Sequence, residues 1–326
     1  MIDAPPVVER LLASDEPAVR LRAIVAILGL PPDSPEAEAA RAACAGGERV
    51  AMLLSERRED GTIPFHPYNA KWYGAHWVLV ALAELGYPAG DRSLVPLREQ
   101  ALGWLLSDEY ERRHIGHVHG LTTLHASIDG NAVWALHALG LADERVDRLV
   151  ARILQAQWPD GGWNCDRHAS GRASSFTESL IPLRALVRHA DCTGDGDGRE
   201  AAARAAELFL TRRLYRRRTD GSVIHPSFLK LHYPCYWHYD ILFALTVLAE
   251  AGLVTDPRCR EALALLEAKR LDDGGFPAEA RFYRVTAKPA AGGRSLVDWG
   301  PTGVRRSNAW VTTAALAALS ASADHA

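Results

Sequence analysis

Residues 155–163 read Gln-Ala-Gln-Trp-Pro-Asp-Gly-Gly-Trp, a helix-like stretch halted by an Asp-Gly-Gly turn. The residues before it, near 145–157, alternate Arg and Glu with Leu and Ala at helical spacing and predict a half-exposed helix. Those after it run into Leu183-Arg184-Ala185-Leu186 and predict a helix apolar on most faces, buried on more than one side. The layout recurs around Asp60-Gly61, Asp220-Gly221 and Asp272-Asp273-Gly274-Gly275-Phe276. A weaker unit ends at Leu105-Leu106-Ser107-Asp108, without the glycines. Turns near positions 60, 108, 160, 220 and 272 stand 48, 52, 60 and 52 residues apart. A period of about fifty residues holding two helices is a helical-hairpin repeat.

The second helix of each unit ends alike, as in Ala81-Leu82 before Gly86 and Ala135-Leu136 before Gly140, where a glycine stops a helix. Ala244-Leu245 and Ala315-Leu316 continue the series. The first helices fall near 94–106, 145–157, 199–214 and 257–270. Pro17–Leu30 supplies a further inner helix and Glu36–Leu54 an outer one. Strand signals are poor. The expectation is an all-α chain, 1–326 as one domain, with six helical hairpins in two concentric layers closing an α/α toroid around a central cavity. Asp191–Gly198 reads as a polar loop, without the glycine and distal Glu positions of an EF-hand. The insert at 280–305 has no periodicity and reads as a lid over the cavity mouth.

Composition narrows the function. The 326 residues are 48% apolar and 24% charged, with a net charge of −3, so nothing points to nucleic acid or an anionic membrane. No run of 18 apolar residues exists, so no spanning helix is expected. The N-terminus lacks the marks of a signal peptide, and the five cysteines form no disulfide framework. A cytoplasmic protein is expected. Walker, GxGxxG, GxSxG and HExxH motifs are absent.

The Gln155–Trp163 segment, with its echoes at Asp60-Gly61, Asp220-Gly221 and Asp272–Phe276, resembles the prenyltransferase and squalene-cyclase (terpenoid cyclase) repeat, whose hallmark is Q-x-x-D-G-G-W. The likeness spans about residues 17–320 and implies a toroid binding an isoprenoid-type substrate. Cyclases of that family carry D-x-D-D, which this chain lacks, so it resembles a stand-alone single toroid. Protein prenyltransferases hold zinc through Asp, Cys and His, with the Asp and Cys in a D-x-C spacing that is also absent.

Aligning the inner helices on their Ala-Leu endings places Trp77, Asn131, Glu178, Asp240 and Val311 at one level. Buried carboxylates are costly unless paired or protonated. Glu178 and Asp240 therefore read either as an acid–base pair facing a shared space or as caps bridging to Arg184 or His238. Asn164-Cys165-Asp166-Arg167-His168 follows the turn, and Asp166 joins the catalytic candidates. Cys165 and His168, with His125 from the preceding helix start, suit zinc. Cys235 and His238 repeat the spacing, so His238 is a further candidate ligand. Each pair also reads, more simply, as half-buried polar side chains. The tract holding His114, His117, His119 and His125 reads as a solvated loop or a metal-binding one. No motif demands a cofactor; zinc is the one that these residues admit. Trp72, Tyr73, Trp77, Asn131, Trp163, Trp237, Tyr239 and Trp310 are the expected substrate-binding residues, either lining an apolar pocket or forming plain core. The expected function is binding of a small apolar or isoprenoid substrate, with acid–base chemistry. The alternatives are a non-catalytic scaffold and a carbohydrate-active toroid with paired carboxylates.

Overall fold

Helix α9 (Glu144–Gln155) shows how the hairpins form. Val146, Leu149, Val150 and Ile153 are buried along one face, and Asp143 caps the start by accepting from Arg145 N–H. An amphipathic face with a capped N-terminus needs only a partner surface to become stable. The computed structural model describes residues 5–168, 171–288 and 292–323. It is predominantly helical, as expected.

The partner surfaces are helices buried nearly all round: α5 (Ala75–Glu84), α8 (Ala126–Ala138), α10 (Phe176–Thr193), α12 (Ile241–Glu250) and α14 (Ala309–Ala323). Each packs on the next in that order. Helix α14 then meets α2 (Pro17–Arg22), which continues as a π-helical turn over Ala23–Ile27. The N-terminal segment returns to α5 through Arg22 on Glu84 (2.5 Å) and Leu21 against Gly86. A second set of helices, α3 (Pro35–Ala45), α6 (Val95–Leu105), α9, α11 (Gly196–Leu210) and α13 (Arg260–Glu267), packs on α2, α5, α8, α10 and α12 in turn. One cluster of buried apolar side chains runs from Val7 to Ala318. Gly86 and Gly140 stop their helices at φ of +68° and +61°.

Four local expectations change. The segment expected as one outer helix from Glu36 to Leu54 is two, α3 and α4 (Glu48–Leu54), because Gly47 is extended at ψ 147°. Asp191–Gly198 is no loop: α10 runs to Thr193, Gly194 turns the chain at φ +81°, and α11 starts at Gly196. After α7 (Asp108–His114), the His-rich tract folds as an antiparallel hairpin, β1 (Ile115–Val118) with β2 (Leu121–Leu124). The described part of the 280–305 insert is anchored rather than loose. Arg284–Val285 pairs with Arg294–Ser295, and Tyr283, Val297 and Trp299 are buried; residues 289–291 lie outside the described residues.

One histidine in the core and two half-buried ones resist protonation. His76 is 1% exposed, and among the described residues neither ring nitrogen has a partner. Burial pushes it down to about 3. His238 is pushed down to about 3, by burial and then by His232, and His137 to about 4, by burial and then by His189. The unfolded chain binds protons at these rings near pH 6.5 and the folded chain refuses them, so stability present above about pH 6.5 is lost as pH falls toward 4. His76 alone contributes about 1.4 kcal/mol per pH unit across that window. Urea unfolding at pH 7, 6 and 5 measures the slope, and His76→Phe should remove one histidine's share. A flat profile would show that the rings find solvent.

Candidate metal centre

The Asp-Gly-Gly turn places the first candidate ligand, Cys165. At Gly161, φ is +93° and a Cβ would lie 2.3 Å from the Arg204 carbonyl; at Gly162 it would lie 2.5 Å from Ser179 Oγ. Only glycine lets the turn press this far between α10 and α11. Ser174 N–H donates to Asp160 (2.9 Å), and Trp163 Nε1 donates to the Ile153 carbonyl (2.7 Å). The chain leaving the turn pairs with the end of β2, where Leu124 N–H donates to the Asn164 carbonyl (2.9 Å). His125 is therefore held beside Cys165. Ser175 caps α10 by accepting from Glu178 N–H, which sets Glu178 in the first turn facing the same place.

Ligand atoms of His125, Cys165 and Glu178 all lie within 4.8 Å of one another. His125 Nδ1 is 3.5 Å from Glu178 Oε1, and Ser127 N–H donates to Oε2 (2.9 Å). Burial pushes Glu178 up, but His125 and the Ser127 donor outweigh it and hold the carboxyl below its ordinary value. Burial, reinforced by Glu178, pushes the Cys165 thiol up to about 12. An imidazole, a thiol and a carboxylate in reach of one point are a zinc donor set rather than a calcium or magnesium one. Three protein ligands leave a fourth position for a substrate or water. Metal would displace the thiol proton.

An aromatic wall adjoins the cluster. The His114 ring meets His125 at 5.0 Å, Trp104 at 5.6 Å and Tyr68 at 6.2 Å. Tyr68 stacks on Trp104 at 5.4 Å and reaches Trp237 at 6.4 Å. Lys71 Nζ lies 3.7 Å over the Trp237 ring and 4.8 Å over Tyr68. Neither a scan against protein-family models nor a search of curated proteins finds a match to this chain.

The other expected site residues fall elsewhere. His168 stands off the cluster, its N–H donating to Asp166 Oδ1 (2.8 Å), so Asp166 holds the loop after the turn. The His238 ring stacks on Phe282 at 3.6 Å. Asp240 is fully buried and caps α12, accepting from Phe243 N–H (2.7 Å) and His232 N–H (2.9 Å), with His232 Nδ1 at 2.6 Å. Glu178 and Asp240 thus have separate partners. Trp72 stacks on Tyr236 at 3.7 Å and meets Trp77 edge-on at 4.6 Å, so these rings fill space between helices. Asn131 Nδ2 donates to the Tyr236 carbonyl (3.0 Å). Tyr73 lies under Arg294, Tyr239 O–H donates to the Leu214 carbonyl, and Trp310 stacks on Tyr233 at 4.9 Å. Tyr68 stands among the aromatics that cluster at the inner-helix starts in the sequence, whereas Glu178 as a candidate ligand and Trp104 in the adjoining wall were missed.

Proposed function

We propose that this chain is an α/α toroid of six hairpins and a zinc-dependent, prenyltransferase-like enzyme that takes an apolar, isoprenoid-type substrate at the His125–Cys165–Glu178 centre. The convergence of three ligand types beside an aromatic wall carries the reading. The circuit of helices from α2 through α14 and back supports the toroid. Zinc bound there supplies a Lewis acid and a site for a substrate thiol or oxygen. Glu178 is oriented by Ser127, His125 is fixed by the end of β2, and Tyr68, Trp104 and Trp237 offer apolar faces to the substrate. Lys71 adds a cation beside those faces. Proton-initiated cyclisation is less well supported, because Asp240 spends its oxygens on a helix cap and on His232.

Metal content of the tag-free full chain tests this. After dialysis against zinc, about one equivalent per chain is expected, and cobalt substitution should give a thiolate-to-metal charge-transfer absorption. Cys165→Ser and His125→Ala should lose both signals, while His168→Ala and His238→Ala retain them. Wild-type stoichiometry in Cys165→Ser, or no metal in the parent, would overturn the reading.

A further inference from the structure

The chain has four lysines. Lys269 Nζ lies 2.7 Å from a Glu279 carboxylate oxygen, and Lys230 and Lys288 are exposed. Lys71 has neither surrounding. It is half-buried just before α5, with Nζ 3.7 Å over the Trp237 ring, 4.8 Å over Tyr68 and 6.0 Å over Trp72. The Trp72 and Trp237 rings are themselves 4.7 Å apart. Three rings from two segments, Tyr68 and Trp72 before α5 and Trp237 before α12, therefore hold one ammonium group.

Among the described residues Lys71 Nζ has no hydrogen bond or ion pair, yet it is not one of the polar atoms sealed from solvent. No negative charge offsets its burial, which pushes the amine below the ordinary lysine range. His238, stacked on Trp237 at 4.9 Å, is itself held neutral and supplies no counter-ion. A lysine that is reachable, partly stripped of water and without a carboxylate is disposed to lose its proton and act as a nucleophile.

Two kinds of ligand answer an unpaired lysine, an anion or a carbonyl compound. An anion beside Nζ would lie against the electron-rich faces of the rings, which repel it. A carbonyl compound removes the need for a counter-ion. The amine nitrogen bonds to the carbonyl carbon, the carbonyl oxygen takes both amine protons and leaves as water, and a double bond joins nitrogen to carbon. Protonated from solvent, that imine carries its charge over the same rings. The charge is spread into the body of the ligand and depends less on water than a compact ammonium does. The surroundings into which that body extends are aromatic: Tyr68 and Trp237 are half-buried, and Phe282, stacked on His238, is 36% exposed. A flat conjugated body suits them.

We propose that Lys71 is a covalent carbonyl-binding site, whose amine condenses with a flat, uncharged aromatic aldehyde packed against Tyr68 and Trp237. The condensation uses no metal, so the site stands apart from the zinc-dependent reading. The probe is 2-naphthaldehyde, added at pH 8 to the full-length protein with cyanoborohydride. The reductant delivers hydride to the imine carbon and fixes the adduct as a secondary amine. Peptide mass mapping then counts the adduct at each lysine. Lys71 should label at least about fivefold faster than Lys230 or Lys288, with or without prior chelation. Lys71→Arg keeps a cation over the rings and should lose that adduct with parental circular dichroism. Trp237→Ala removes the nearest ring and should slow labelling of Lys71 about two- to fivefold. With octanal, which has no flat body, the preference for Lys71 over Lys230 should shrink. Labelling spread evenly over the lysines, a preference unchanged in Trp237→Ala, or protection of Lys71 by equimolar 2-naphthoate would each overturn the proposal, the last by revealing an ion-pairing site. Fast labelling of Lys71 in a chain that holds no zinc would support this site while removing the zinc-dependent reading, and zinc binding without that labelling would do the reverse.

Discussion

Asp129→Ala should cost the fold about 3–5 kcal/mol, the range for removing one partner of a buried ion pair. Asp129 is fully buried in α8 and accepts from Tyr110 O–H (2.7 Å), Arg152 Nε (2.7 Å) and Arg152 Nη2 (2.9 Å). Arg152 also donates to the Leu105 carbonyl (3.0 Å) at the end of α6. The Asp129–Arg152 pair therefore ties together α6, α7, α8 and α9. Burial pushes it above its ordinary value despite Arg152 and Tyr110, so the charge survives only because its partners are in place. Alanine leaves a guanidinium that is 14% exposed without its counter-ion and a buried phenol without an acceptor. Asp129→Asn keeps an acceptor for Tyr110 and should cost less. Urea unfolding at pH 7 measures both, and a loss under about 1 kcal/mol for alanine would show that Arg152 escapes to solvent.

Asp129 also shows where the sequence stops being legible. The helices themselves were readable, because Val146, Leu149, Val150 and Ile153 repeat at the period that buries one face. Aligning inner helices on their Ala-Leu endings held for α5 and α8, which stop three residues past the aligned position, but α10 runs eleven residues past it to Thr193, and the starts do not align either. Counting back four residues lands on the third residue of α5 at Trp77 and of α10 at Glu178. In α8 it lands on the sixth, Asn131, and in α12 on the cap itself, Asp240. Helices that share an Ala-Leu pattern start and stop at different heights, so residues equivalent by count face different surroundings. Glu178 therefore meets His125 and Cys165, whereas Asp240 meets His232. Asp129 lay outside that count, turned toward α9. An aspartate inside Ala126–Ala138, a helix with eleven buried residues, was the signal available for it. The β1–β2 hairpin had none, being four residues a side and rich in histidine.

Trp163→Ala should also cost about 3–5 kcal/mol, as for a buried aromatic truncated in a packed site. Trp163 is fully buried, its Nε1 donates to the Ile153 carbonyl (2.7 Å), its N–H donates to Ser179 Oγ (2.9 Å), and its carbonyl accepts from Ser175 N–H (2.8 Å). Those bonds join the end of α9 to the start of α10 across the turn that delivers Cys165. A side chain lining a substrate site would behave differently, changing ligand affinity with little effect on unfolding. Trp237, half-buried under Lys71, is the contrast. Trp237→Ala should unfold within about 1 kcal/mol of the parent and lose affinity for an apolar ligand at the metal centre. Chemical denaturation of both variants beside their zinc content separates the roles. On the proposed zinc reading, Trp163→Ala should lose stability and zinc together, because the turn that it anchors positions Cys165. If it kept parental stability while substrate affinity fell, the ring would belong to the site rather than to the core.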